Sequence, residues 1–171
     1  MLKKIEFLFI ISLSIFFFPL CGCSIVNTEQ ATETEKPIIA VSIVPQETFV
    51  QEIAGELVQV VTLIPPGNSP ANYAPKPQEI ENLSKADIYF TIGVPTEKAN
   101  ILPKLNNINK DIKVIDLAAE VNKVYPQREF APGKPDPHIW LSPKRVTTMI
   151  NIITEELSKL DEKNKTIYKE N

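Results

Sequence analysis

Histidine is almost missing from this 171-residue chain; there is one, His138. Glycine is scarce at five residues, tryptophan occurs once at Trp140, and the two cysteines, Cys21 and Cys23, both fall near the N-terminus. Basic residues are outnumbered, 18 Lys+Arg against 21 Asp+Glu. Each shortage excludes something. A net charge of −3 lacks the basic face that nucleic acid requires. The few glycines form no phosphate-cradling loop, and no Ser/His/Asp or Cys/His arrangement is present, so an enzyme is the weakest functional class. A single imidazole is one donor, whereas a tightly held transition metal takes roughly three or four N, S or O donors. No internal repeat or low-complexity tract is visible.

What is present begins with an address. Lys3 and Lys4 form a positive head, and residues 7–20 are a nearly unbroken apolar run. That run is short for a bilayer span and suits the apolar region of a signal peptide. Leu20-Cys21-Gly22-Cys23 follows and resembles the bacterial lipobox. Cys23 fits the lipid-acceptor position, with Gly22 at the cleavage site; Cys21 fits badly, because Pro19 and Leu20 occupy its approach. Lipidation of Cys23 would leave no free thiol in the mature chain, so stability must come from the core. A metal pair from Cys21 and Cys23 is excluded if cleavage removes one of them. Loss of residues 1–22 removes Lys3, Lys4 and Glu6, leaving 16 Lys+Arg and 20 Asp+Glu, a net of −4. Residues 24–37 are polar, acidic and aperiodic, as expected of a flexible tether.

From Ile38 onward, strand and helix signals alternate. Ile38–Val44 is a β-branched apolar run of the buried parallel type. Phe49, Val50, Ile53 and Ala54 fall at helical spacing over 46–54, with Gly55 as a stop. Strands are predicted at 57–64, 87–92 and 113–117, and helices at 77–86 and 96–105, the latter weakened by Pro103. Residues 124–137 carry no regular signal. Residues 143–160 give the strongest helix, with Val146, Met149, Ile150, Ile153 and Leu157 in one stripe. This rhythm predicts an α/β fold with a parallel four-stranded sheet flanked by helices. Ligands in such folds gather where strands end at their carboxyl edge.

The segment Asp136-Pro137-His138-Ile139-Trp140-Leu141-Ser142-Pro143 is the most informative in the chain. Pro137 fixes its own φ and pushes Asp136 away from helical geometry. Ser142 and Pro143 read as the N-cap and first residue of the next helix. On composition alone a solitary histidine reads as a surface or packing residue. Its rigid mount ahead of a helix instead suggests a positioned ligand.

Three more segments complete the pattern: Val41-Ser42-Ile43-Val44-Pro45-Gln46, the loop Pro65-Pro66-Gly67-Asn68-Ser69-Pro70-Ala71-Asn72-Tyr73-Ala74-Pro75, and Ser84-Lys85-Ala86-Asp87-Ile88-Tyr89-Phe90-Thr91-Ile92-Gly93. With the His138 segment they resemble, in order and spacing, the zinc/manganese solute-binding lipoproteins of ABC importers. The resemblance runs from about Ile38 to Asn171. It implies an extracellular, lipid-anchored receptor that captures zinc or manganese as cargo and delivers it to an importer permease. It also implies two α/β lobes joined by a long helix, with the metal between them. His138 matches the histidine of the family's Pro-His-Ile-Trp motif. A second family histidine falls on Ala71, where a methyl group cannot bind metal.

The domain reading that follows is a lipoprotein signal peptide at 1–22, a tether at 23–37, an N-terminal lobe at 38–163 and the start of the linking helix at 164–171. The C-terminal lobe, with the family's other two ligands, is missing from this reading, which makes a truncated receptor the expectation. Asp136 and Glu97 are candidate oxygen donors; Asn72 and Gln46 are poorer ones, and Trp140 and Tyr73 read as packing residues. Two rival readings are a degenerate non-binding or adhesive lipoprotein, and a receptor for an organic or chelated ligand.

Overall fold

The β-branched run after Pro37 forms the centre of a four-stranded parallel sheet in the computed structural model, which describes residues 35–171. The proposed signal peptide, Cys23 and most of the tether lie outside the described residues. The strands are β1 (Ile38–Ile43), β2 (Gln59–Ile64), β3 (Ile88–Thr91) and β4 (Lys113–Asp116), in the order β2-β1-β3-β4. Register is set by pairs such as Ala40 with Val61, Ala40 with Tyr89, and Phe90 with Ile115. This is the α/β lobe expected from the alternating pattern.

Because side chains alternate along a strand, the sheet builds two apolar layers. Ile39, Val41, Ile43, Ile88 and Phe90 face one way, into a core with Val50, Ile53, Met149, Ile153, Leu157 and Tyr168. Ala40, Val61, Leu63 and Tyr89 face the other way, onto Leu83, Ile101 and Leu105. Burial on both faces explains why β1 and β3 read as continuous apolar runs. β4 is the exposed edge, and its Lys113 pairs with Glu156, which blunts that edge with charge.

Helices α1 (Val44–Ala54), α2 (Pro77–Leu83) and α5 (Pro143–Leu160) each begin with proline in the first turn, where the missing N–H costs no helical bond. The 143–160 stripe is buried at Met149, Ile153 and Leu157, as its periodicity predicts. Four details differ from the sequence reading. The helix expected at 96–105 is a wide π turn at Glu97–Ile101, then a 3-10 turn at Leu102–Lys104 and a short α3 (Leu105–Ile108). Pro103 lacks the N–H that a continuous helix needs. A short helix, α4 (Leu117–Asn122), follows β4 directly and is capped by Asp116, whose carboxylate accepts from the Ala119 N–H at 2.9 Å. The aperiodic stretch contains a small antiparallel hairpin, β5 (Glu129–Ala131) with β6 (Lys134–Pro135). All four strands and α2 are shorter than expected by one to three residues at an end, and α1 starts two residues earlier.

Residues 165–170 form α6, which closes over the first core layer. Tyr168 is buried there and donates to Asp161 Oδ2 at 2.7 Å, while Asn171 Nδ2 donates to the Ile53 carbonyl at 3.0 Å.

Candidate metal site at the carboxyl edge

Strand order reverses between β1 and β3, and the segments leaving the carboxyl ends of the strands gather on that side, as expected of open α/β sheets. Two buried polar side chains hold these turns. Gln46 Oε1 accepts from the Ser42 and Ile43 N–H groups at 3.0 and 3.2 Å, and its Nε2 donates to the Phe90 carbonyl at 2.9 Å. Glu97 accepts from the Ile92 N–H at 2.8 Å, from the Gly93 N–H at 2.7 Å and from the Ser42 hydroxyl, which also bonds Tyr89 Oη at 2.8 Å. Gly93 itself has φ +86°, a conformation that side chains disfavour. Gln46 and Glu97 were candidate donors by residue type. The structure engages both in buried hydrogen bonds, Gln46 with backbone groups and Glu97 with the Ile92 and Gly93 N–H groups and the Ser42 hydroxyl, so they shape the site rather than supply ligands.

The loop after β2 is latched to the π turn. Thr96 N–H donates to the Pro70 carbonyl at 3.1 Å, and Asn100 Nδ2 donates to the Tyr73 carbonyl at 2.7 Å. Tyr73 also donates through its hydroxyl to Glu79 Oε1 at 2.9 Å, a packing and anchoring role. Ala71 is thereby held at the edge of a cavity of about 650 Å³. Asn72 is exposed and is not among the cavity's lining residues.

His138 lines the same cavity as Ala71. Its ring is 47% exposed, so it is presented rather than enclosed. Asp136 Oδ1 lies 2.7 Å from Nδ1 and also accepts the His138 backbone N–H at 3.0 Å. These two bonds hold the Asp136 carboxyl below the ordinary carboxylate range. An ionised Asp136 fixes the proton on Nδ1 and leaves Nε2 as the free lone pair, the arrangement common to metal-ligating histidines. Asp136 thus serves the imidazole and is not a separate donor.

Aromatic rings complete the mount. Trp140 sits 5.0 Å from the imidazole between centroids, and Phe130 meets it edge-on at 5.7 Å. Phe130 comes from the hairpin that the sequence reading missed. The hairpin is tied to the histidine segment by the Asp136 N–H, which donates to the Arg128 carbonyl at 2.8 Å. Arg145 of α5 anchors its approach by donating to the Pro126 carbonyl at 2.6 Å and lying over the Tyr125 ring. Lys98 also lines the cavity, on an exposed position of the π turn. Among the described residues, no group of three or more His, Cys, Asp or Glu side chains forms a cluster able to hold a metal.

The parallel α/β lobe thus presents one oriented imidazole beside a cavity at its strand ends. Residues 39–171 match the family described as "Zinc-uptake complex component A periplasmic", and the chain belongs to that family. It is 30% identical over 174 residues to a metal ABC transporter substrate-binding lipoprotein of Lactococcus lactis, covering 99% of this chain and 55% of that protein. It is 34% identical over 144 residues to a putative metal-binding protein of Chlamydia trachomatis, covering 81% and 48%. A crystal structure of ZnuA superposes with a TM-score of 0.70 at 38% identity, covering 79% of this chain and 51% of that one. A Mn-bound periplasmic metal-binding protein from Candidatus Liberibacter asiaticus gives 0.69 at 25% identity, covering 78% and 49%. The chain spans about half the length of these relatives.

Proposed function

We propose that this chain is the metal-capturing, substrate-binding subunit of an ABC importer, with zinc or manganese as cargo and His138 Nε2 as its own donor. The observation carrying this reading is the Asp136–His138 pair. A carboxylate fixes the tautomer, two aromatic rings fix the plane, and the free nitrogen belongs to a residue lining the cavity. The mechanism is capture without bond-making chemistry. His138 replaces one water of the ion, and donors from outside the described residues fill the remaining positions. The loaded face then docks on a permease. Residues 38–163 act as the N-terminal lobe, and 164–171 open the linking helix of the family's two-lobed plan.

Titration of the purified chain with zinc and with manganese tests the capture role. His138→Ala is expected to remove saturable binding. Asp136→Asn, which keeps the shape and loses the charge, is expected to weaken it about 10–100-fold, the usual cost of losing a carboxylate behind a ligating histidine. Unchanged affinity in His138→Ala would defeat the proposal.

Anchoring belongs to the same reading. Cys23 carries the lipid, and residues 23–37 tether the lobe to the extracellular face of the membrane. Cys23→Ser is expected to move the protein from the membrane fraction of cells to the soluble fraction. Continued membrane association of this variant would rule out the anchor.

A further inference from the structure

Arg145 is buried, 8% exposed, yet it joins no ion pair of the described residues. Its Nη2 donates to the Pro126 carbonyl at 2.6 Å, and the guanidinium carbon lies 5.5 Å from the centre of the Tyr125 ring. Nη1 is also buried and makes no hydrogen bond to any described residue. A charge taken from water without a carboxylate partner carries a large desolvation cost, and apolar side chains of similar volume commonly hold a fold as well or better. Its place in the first turn of α5 adds to that cost, because a helix N-terminus disfavours a cation. Departures of this kind gather where function, not stability, sets the residue.

What the guanidinium holds is the segment that carries His138. Tyr125 is rooted on α4 through its N–H, which donates to the Val121 carbonyl at 2.9 Å. From there the chain runs through β5 and β6 to His138 and enters α5 at Pro143. The bond from Arg145 to Pro126 therefore ties the two ends of residues 126–145 together. Inside this closed segment the two limbs are joined beside the imidazole. The Arg128 carbonyl accepts the Asp136 N–H at 2.8 Å, Arg128 Nε lies 4.0 Å from Asp136 Oδ2, and Phe130 meets the imidazole edge-on. Asp136 in turn holds both the ring and the backbone of His138. A segment closed in this way has fewer conformations to lose when it takes a ligand.

Resting on the proposal that His138 ligates metal, we infer that Arg145 is a positioning residue for capture, closing the 126–145 segment and so preorganising the Asp136–His138 pair. Arg145 is not among the cavity's lining residues. Its effect reaches the ion only through the limb from Pro126 to Arg128 and through Asp136.

The test sets stability against affinity in the full chain. Arg145→Met keeps a long helix-forming side chain and removes the charge and the donors. Its urea midpoint is expected to equal or exceed that of the unsubstituted chain, while zinc binding in calorimetric titration weakens at least about tenfold. Without metal, exchange of the Asp136 amide hydrogen is expected to quicken at least about tenfold, with the amides of β1 unchanged. Arg145→Lys keeps a cation but loses the planar fork, and should recover only part of the affinity. Tyr125→Leu removes the ring under the guanidinium and should weaken zinc binding in the same direction. If Arg145→Met does not fold, Tyr125→Leu decides by the same two readings. Full zinc affinity in these variants overturns the inference while metal capture stands. A lowered urea midpoint with unchanged Asp136 exchange marks an ordinary structural arginine and overturns it too. If the unsubstituted chain binds no zinc, the capture reading falls and this inference with it.

Discussion

Replacing Glu97 with alanine is expected to cost about 3–5 kcal/mol of folding stability. The carboxylate is 1% exposed and accepts from Ser42, Ile92 and Gly93. Its removal strands the Ile92 and Gly93 N–H groups, each worth roughly 1–3 kcal/mol when left unpaired, and opens a cavity beside Ser42. Since domains are held by only about 5–15 kcal/mol, this consumes a large share of the total. Urea denaturation of the full chain measures it; a loss no larger than that of an ordinary surface substitution would contradict the assigned role. Glu97 also carries a pH signature. Burial raises its carboxyl above the ordinary carboxylate range; bonds from Ser42, Ile92 and Gly93 oppose that shift, and the nearby Asp116 charge adds to it. The folded state therefore holds this proton more tightly than the unfolded chain. The stability it contributes is full below the ordinary carboxylate range and is lost as pH rises through the folded value. Glu97→Gln cannot titrate and should flatten stability across that window.

Ala71→His is expected to tighten binding of zinc alone by at least about tenfold, or about 1.4 kcal/mol. Ala71 and His138 line one cavity from two loops, each separately braced: the first by Thr96 and Asn100, the second by Asp136. An imidazole at 71 would add a second nitrogen donor to the ion. Competition against a chromophoric chelator measures the affinity. No gain for zinc alone would mean that the two loops do not address a common ion.

Much of this arrangement is legible in the residues, for identifiable reasons. β1 and β3 are buried on both faces, so their β-branched runs are unambiguous. Pro143 and the Met149, Ile153, Leu157 stripe specify α5 at once. His138 stands out because it is the only one of its kind and is flanked by prolines. What escapes notice is short or polar. The β5–β6 hairpin has strands of three and two residues, all exposed, with no alternation to detect; only Pro132-Gly133, with Gly133 at φ +70°, signals its turn. Phe130 is therefore missed as a wall of the site. α4 is six residues long, yet Asp116 as N-cap with Leu117 and Val121 at helical spacing would have revealed it. Glu97 and Gln46 misled in a different way. By residue type they are oxygen donors, and only the placement of the Ser42 to Ile43 and Ile92 to Gly93 backbones shows that their oxygens are already used. Lys98 gives no signal in sequence, since an exposed lysine on a helical turn is ordinary until a cavity is found beside it.

Because His138 is the only histidine, nitrogen NMR of the chain labelled at histidine reports the central claim without ambiguity. Adding zinc is expected to shift the Nε2 resonance while Nδ1 keeps the proton it shares with Asp136. Two unmoved ring nitrogens at saturating metal, or a shift at Nδ1 instead, would contradict it.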